Sequence, residues 1–103
     1  MNPEKYERSN QIKNVCRLYI VMSGHTMNGL PPGELAKALD TSPSNMTRML
    51  AQLKHEGFVE EAHIPGRWRL GPKVVQIAIA YSNEIARAES RLAEVKNRYT
   101  REL

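Results

Sequence analysis

Residues 33–57, GELAKALDTSPSNMTRMLAQLKHEG, contain two short helical patterns separated by a polar turn, and this arrangement decides the fold. In the first pattern, Leu35, Ala36 and Leu39 recur at the spacing that lines one face of a helix. Glu34 lies in the first turn, where the positive end of the helix dipole favours an acid. The segment GELAKALD therefore predicts a short helix.

A second helix is predicted to begin directly after the turn. Ser42 can cap it through the side-chain hydroxyl, and Pro43 suits the first helical position because its missing N–H needs no partner there. Gly57 suits the left-handed residue that ends a helix. Two helices that meet across a turn of about three residues are typical of a helix-turn-helix. The inner face of the second helix is predicted to consist of Met46, Met49, Leu50 and Leu53.

The opposite face of this second helix carries small, amide and guanidinium side chains. At about 100° per residue, these side chains point away from the apolar stripe. The first three turns contain no acidic residue, so the face suits a negatively charged surface that accepts hydrogen bonds. It comprises Ser44, Arg48, Ala51 and His55, flanked by Asn45, Thr47 and Gln52.

A helix is also predicted upstream of this unit, from about Tyr6 or Ser9 to Met22. Its apolar positions follow the spacing i, i+3, i+4, i+7, i+8, which places them on one face. These positions are Ile12, Val15, Cys16, Tyr19 and Ile20. Cys16, the only cysteine, is expected to be a small buried residue because it belongs to this face. The segment SGHTMNGLPPG ends the helix, and Pro32 suits the first turn of the next one.

Downstream, the segments FVEEAH and RWRLG are short strand candidates joined by IPG, which predicts a hairpin. Side chains alternate along a strand, so Trp68 and Leu70 face one way and Arg67 and Arg69 the other. We expect Trp68 in the core, which leaves the two arginines pointing outward.

The last segment, from Pro72 to about Glu102, contains no further glycine or proline and predicts one long helix. Its apolar and aromatic positions alternate in steps of four and three, which is the heptad spacing of a coiled-coil seam. They are Val74, Ala78, Tyr81, Ile85, Ala88, Leu92, Val95 and Tyr99. We interpret Tyr81, Ile85, Ala88, Leu92, Val95 and Tyr99 as a dimerisation seam, with the orientation of pairing left open. In the alternative, Val74, Ile77, Ala78 and Tyr81 pack on the body and the rest projects without a partner.

Composition and charge indicate which classes of partner and function fit this chain. The 103 residues carry a formal net charge of +4 at pH 7 and a pI of 9.5, which favours a polyanionic partner such as nucleic acid. No run is apolar enough for a membrane span or a signal peptide, so we expect a cytoplasmic protein without a membrane partner. His25, His55 and His63 stand apart, which gives no zinc spacing, and no nucleophile or phosphate-loop motif supports an enzyme. We expect neither a metal nor a cofactor.

The order of helix, helix-turn-helix, two-stranded hairpin and helix is that of a winged helix-turn-helix. The predicted fold class is mostly α with a small β-hairpin, a winged helix-turn-helix followed by a long C-terminal helix. We assign residues 6–71 to a winged helix-turn-helix DNA-binding domain and residues 72–103 to the long helix, which would serve dimerisation.

In such a fold the second helix of the turn enters the major groove of DNA. Arg48 could pair with guanine, and Asn45 or Gln52 with adenine. Hydroxyls near the helix start could hold phosphates, and the hairpin arginines could reach the backbone or the adjacent minor groove. The predicted DNA-binding residues are Ser42, Ser44, Asn45, Thr47, Arg48, Gln52, Arg67 and Arg69.

The string GELAKALDTSPSNMTRMLAQLKHEGFVEE, followed by GRWRLGPKV, resembles the DNA-binding domain of the IclR family of bacterial transcription regulators. The resemblance covers about residues 12–80 and implies sequence-specific binding of duplex DNA as a dimer. Asp40 and Pro43 replace residues that are commonly Gly and Lys in that family, which removes one phosphate-binding charge and adds a negative one. The family normally continues into an effector-binding domain, and we see no small-molecule effector site in this chain.

We therefore expect a homodimer that binds specific sequences of double-stranded DNA, as a transcription regulator of bacterial, phage or plasmid type. The alternative is a protein-interaction adaptor, or an architectural DNA-binding protein, that uses the winged-helix shape. Replacement of Arg48, Arg67 and Arg69 should abolish the regulator's function and spare that of an adaptor.

Overall fold

The structure, a computed structural model, describes residues 10–101. Its helices are α1 (Asn10–Met22), α2 (Pro32–Leu39), α3 (Pro43–His55) and α4 (Pro72–Thr100), and its strands are β1 (Val59–Glu61) and β2 (Trp68–Leu70). This is the predicted winged helix-turn-helix with a long C-terminal helix, so the fold class is confirmed. The predicted beginning of α1 before residue 10 and the predicted end of α4 at Glu102 lie outside the described residues.

A single apolar core joins the first three helices to the hairpin. The fully or almost fully buried residues are Leu18, Met22, Leu35, Ala36, Leu39, Met46, Met49, Leu50 and Val59. Burial of each Leu or Met stabilises the fold by roughly 1.5–3 kcal/mol relative to exposure. The predicted inner faces of α2 and α3 are confirmed, although Leu53 at the end of α3 is only half-buried.

The predicted inner face of α1 is only partly correct, because Val15 and Tyr19 pack against the core and the other three positions do not. Leu18 and Met22 are fully buried, whereas Ile12 is 66% exposed and Ile20 is 72% exposed. Cys16 is also exposed, so it is not the buried residue that the sequence pattern indicated. α1 carries more apolar side chains than one face can hold, and contact with α2 and the hairpin selects the side that contains Leu18 and Met22.

Tyr19 lies at the boundary between the buried and exposed sides of α1. Its ring packs against the ring of Phe58, with the centroids 6.4 Å apart. Burial raises the pKa of the Tyr19 phenol, and the nearby Cys16 thiol adds to the rise. The neutral phenol therefore belongs to the contact between α1 and the segment that leads into the hairpin.

The turn between α2 and α3 is held by two sets of cap hydrogen bonds. Asp40 adopts a left-handed conformation with φ 52°, its N–H donates to Lys37 O, and the N–H of Thr41 donates to Ala36 O. This is the Schellman arrangement, in which glycine is the usual left-handed residue. On the α3 side, Ser42 Oγ accepts from the N–H of Asn45 at 3.1 Å, which confirms the predicted cap.

The hairpin pairs antiparallel, with Val59 opposite Leu70, Glu60 opposite Arg69 and Glu61 opposite Trp68. Trp68 and Leu70 pack against the core, as predicted. The loop before α2 extends this small sheet, because Leu30 and Trp68 exchange backbone hydrogen bonds of 2.8 and 2.9 Å. Gly29 precedes this contact at φ 70°, and a Cβ there would lie 2.6 Å from the Trp68 carbonyl oxygen, so the position requires glycine.

α4 leaves the body immediately after the hairpin. Its 29 residues span about 43 Å, and no residue within its described length is buried. Of the four residues that the alternative packs on the body, only Val74 is half-buried; Ala78 is exposed, Ile77 is 61% exposed and Tyr81 is 66% exposed. Among the helices of residues 10–101, none combines the length and the apolar composition that a membrane crossing requires.

Candidate nucleic-acid interface

The outer side of α3 presents a continuous polar surface, which we call the reading face. Its exposed members are Ser44, Thr47, Arg48, Ala51, Gln52 and His55. The core residues of α3 hold this face outward, and the Ser42 cap fixes where the helix begins. No acid lies within α3; along the sequence, Asp40 precedes the helix and Glu56 follows its last residue. The reading face is therefore suited to a surface rich in hydrogen-bond acceptors and negative charge.

Hydrogen bonds within the chain separate the predicted contact residues into two groups. Asn45 is half-buried, and its Nδ2 donates to Thr41 Oγ1 at 2.7 Å and to Met49 Sδ at 3.6 Å. Thr47 Oγ1 donates back to the carbonyl of Pro43 at 3.0 Å. These groups stabilise the start of α3. The exposed guanidinium of Arg48, in contrast, takes part in no ion pair within residues 10–101.

The two hairpin arginines are tied to the body more closely than the sequence indicates. Arg67 Nη1 donates to the carbonyl of Gly29 at 3.4 Å. Arg69 Nε donates to Glu60 Oε1 at 2.8 Å, and both of these side chains are partly exposed. Because Glu60 neutralises Arg69, a phosphate can engage this guanidinium only in competition with the carboxylate. Sequence analysis missed Glu60, which the strand register places directly opposite Arg69.

Lys54 connects the end of α3 to the hairpin. Its Nζ lies 3.5 Å from Glu61 Oε1 and 5.8 Å from the centroid of the Trp68 ring. A cation over an indole ring is attracted by the negative face of the ring. These contacts join the end of α3 to both strands of the hairpin.

A further polar surface lies between α1 and the start of α3, and we call it the α1–α3 recess. It has a volume of about 490 Å³. Lys13 and Arg17 line it from α1, and Asp40 and Ser42 line it from the turn. Its other lining residues are Asn10, Asn14, Leu39, Thr41 and Asn45. Sequence analysis missed the cationic wall, although the i, i+3, i+4, i+7 spacing of its amide and basic residues on α1 was a signal of a polar face.

The predicted dimerisation seam is exposed along α4. The exposed fractions are 66% for Tyr81, 45% for Ile85, 69% for Leu92, 50% for Val95 and 77% for Tyr99, and Ala88 is also exposed. The structure adds Val75 and Ile79 to the exposed apolar surface near the start of the helix. The seam is thus available to a partner helix.

Comparisons with known proteins find a family model that matches part of the chain and solved structures that share its fold. The sequence model of the MarR family matches residues 17–66, which hold the C-terminal part of α1, the helix-turn-helix, β1 and most of the hairpin turn. A search of curated protein sequences finds no significant match.

Two solved structures share the fold. One, assigned as an IclR transcriptional regulator from Silicibacter sp., aligns with a TM-score of 0.63 and 19% identity over 79% of this chain and 32% of its own. The other, a mutant of ZitR from Lactococcus lactis, aligns with a TM-score of 0.51 and 18% identity over 89% of this chain and 62% of its own. The chain thus spans about a third of the first protein and about three fifths of the second. These findings identify a winged-helix protein whose residues 17–66 match the MarR family.

Proposed function

We propose that this chain is a non-enzymatic transcription regulator that binds specific sequences of double-stranded DNA as a homodimer. The observation that carries the proposal is the reading face, an acid-free polar surface on the second helix of a capped helix-turn-helix. The major groove of B-DNA is wide enough to admit a helix, and its edges present a distinct hydrogen-bonding pattern for each base pair. The IclR-type sequence strings and the match to the MarR family support the same class of function.

Within the reading face, Arg48 and Gln52 are the proposed base contacts. Arg48 would form a bidentate pair with guanine, and Gln52 would pair with adenine. Asn45 is a weaker candidate for adenine, because its amide nitrogen already donates to Thr41 and Met49. Hydroxyls at the helix start, from Ser42 and Ser44, would meet backbone phosphates together with Arg67 and Arg69 of the hairpin. Thr47 is a weaker candidate, because its hydroxyl already donates to the carbonyl of Pro43.

The homodimer is proposed from the exposure of α4. A helix with no fully buried residue gains little stability from tertiary packing, which is the main source of helix stability in proteins. Pairing of the Ile85, Leu92 and Val95 positions with a second copy would remove apolar surface from water at heptad spacing. Each winged domain would then occupy one half-site of the DNA.

Binding to DNA can be tested by fluorescence anisotropy on pooled random duplexes of about thirty base pairs, over a series of salt concentrations. We expect an affinity that falls with salt, and selection from the pool should yield a preferred sequence. On that sequence, Arg48→Ala should weaken binding roughly ten- to a hundredfold, as expected for loss of a bidentate guanine contact. Arg87→Ala on α4 removes the same charge away from the reading face and should bind like the unmodified chain.

The outcomes separate the proposal from its alternatives. Absence of binding at low salt would contradict DNA binding and favour an adaptor that docks a protein on α4. Binding without any preferred sequence would instead favour an architectural role, because phosphate contacts alone carry no sequence information.

A further inference from the structure

We propose that the α1–α3 recess is a binding site for a backbone phosphate of the DNA, a contact separate from those made by the reading face and the hairpin. This inference rests on the proposed function. It assigns a role to α1, the helix on which sequence analysis placed no DNA contact.

The α1 wall of the recess consists of hydrogen-bond donors. Asn10, Lys13, Asn14 and Arg17 follow the spacing i, i+3, i+4, i+7, so they share one face of α1. None of them is acidic. A guanidinium offers a planar fork of donors that matches phosphate oxygens, and an ammonium adds a compact point charge. Four neighbouring donor side chains, two of them cationic, suit an oxyanion better than a neutral ligand.

The opposite wall is the start of α3. Ser42 and Thr41 line the recess there, beside the positive end of the helix dipole. Asn45 N–H is taken by Ser42 Oγ and Met46 N–H by Ser42 O, while Pro43 has no N–H. The N–H of Ser44 is therefore the first-turn donor that the helix itself cannot satisfy. This wall adds favourable potential to the charges that α1 supplies.

Asp40 is the one carboxylate among the residues that line the recess. It opposes two cations, so the recess keeps a net positive charge. The left-handed conformation of Asp40 is fixed by the Schellman turn, which holds the carboxylate next to the site. Asp40 therefore weakens phosphate binding without abolishing it.

The position of the recess fits DNA rather than a separate ligand. Ser42 and Asn45 belong both to the recess and to the beginning of α3, so the site borders the reading face. When a recognition helix lies in the major groove, the phosphates at the groove edge pass close to its N-terminus. The same strand would then run across α1.

The test uses the duplex selected with the unmodified chain. The variant Lys13→Gln, Arg17→Gln removes both charges and keeps hydrogen-bonding side chains of moderate length, so folding is retained. The control Arg87→Gln, Arg91→Gln removes two charges at the same i, i+4 spacing on α4. Thermal unfolding and sedimentation establish that each variant is folded and keeps the oligomeric state of the unmodified chain.

We expect the recess variant to reduce the magnitude of the negative slope of log affinity against log salt by about 1, since each neutralised phosphate contributes about 0.9. The ratio of its affinities for the selected sequence and for random duplex should stay within about twofold of the ratio for the unmodified chain, because phosphate contacts do not read bases. Ethylation of single phosphates should identify at least one position that the unmodified chain requires and the variant does not. Asp40→Asn should act in the opposite direction and strengthen binding.

A recess variant with the same salt slope and the same ethylation pattern as the unmodified chain would overturn the inference, while the proposed function would stand if Arg48→Ala still weakened binding. A second result would also overturn the inference: the unmodified chain binds inorganic phosphate at constant ionic strength, and the variant binds DNA as tightly as the unmodified chain. The recess would then be a site for a free anion. Failure of the unmodified chain to bind DNA would overturn both proposals.

Discussion

At the scale of single residues, Ser42 has two separable tasks. Its hydroxyl caps α3 by accepting from the N–H of Asn45, and it lies on the proposed DNA surface. A cap residue acts on the folded chain alone, whereas a phosphate contact acts only in the complex.

Replacement of this residue distinguishes the two tasks. Ser42→Ala should lower the free energy of unfolding by about 1 kcal/mol, since a helix start loses its side-chain cap. Ser42→Asp keeps a capping oxygen and should unfold at a urea concentration near that of the unmodified chain, yet bind DNA more weakly because of its charge. Urea unfolding and anisotropy measure the two effects. Equal stability of the alanine variant and the unmodified chain would contradict the capping role.

The ion pair between Glu60 and Arg69 gives a second prediction at this scale. Glu60→Gln releases the guanidinium from its counter-ion, so DNA affinity should rise about two- to fivefold, the range expected for a partly exposed pair. The control is Glu61→Gln, which removes the same charge from the neighbouring position, where the partner is Lys54. If both variants raise the affinity equally, the gain is a general charge effect and Arg69 is not the group that was released.

At the scale of elements, α4 exposes an apolar surface that the proposed homodimer would cover. Ile85→Lys combined with Leu92→Lys places two charges in the predicted seam and should convert the dimer to a monomer in sedimentation velocity. Ala86→Lys combined with Ala93→Lys adds the same charges at the same spacing beside the seam, and this control should remain dimeric. An unchanged sedimentation coefficient in the seam variant would exclude this face from the interface.

Elements whose signals are local could be predicted from the sequence. α3 is an example: Ser42 and Pro43 mark its start, Gly57 follows its end, and each acts within one turn of the helix. The buried side of α1 could not be predicted, because its apolar residues fill two faces and only the packed neighbours decide between them.

The candidate site, too, could be predicted only in part from the sequence. The reading face follows from the helical period of α3 alone. The pairing of Glu60 with Arg69 requires the strand register, and the α1–α3 recess joins Arg17 to Ser42 across a tertiary contact. Neither arrangement can be predicted from the spacing of residues within one helix or strand.

At the scale of the whole molecule, α4 makes the chain elongated. The extents are 70 × 45 × 22 Å and the radius of gyration is 20.0 Å, against about 13 Å for a compact domain of this length. The winged body lies at one end of α4, so in the proposed homodimer the pairing of two such helices would fix the distance between the two reading faces.

This geometry predicts a dependence on spacing in the DNA. The unmodified chain should bind two half-sites best when their centres are separated by one helical turn of DNA or a multiple, about 10 to 10.5 base pairs each. The Ile85→Lys, Leu92→Lys variant should bind one half-site and show no preference for spacing. Anisotropy on duplexes of stepped spacing provides the measurement, and a flat response from the unmodified chain would contradict binding by a rigid dimer.

The exposure of Cys16 makes this geometry measurable without any mutation. Cys16 is the only cysteine in the sequence and lies on the solvent side of α1, so a nitroxide spin label attaches at one defined place in each chain. Pulsed electron resonance then reports one distance per dimer. Parallel α4 helices would bring the two labels to the same end of the pair, and antiparallel helices would move them apart by roughly the helix length, about 43 Å. The side chain that the sequence pattern placed in the core is thus a labelling site from which the orientation of the two α4 helices can be measured.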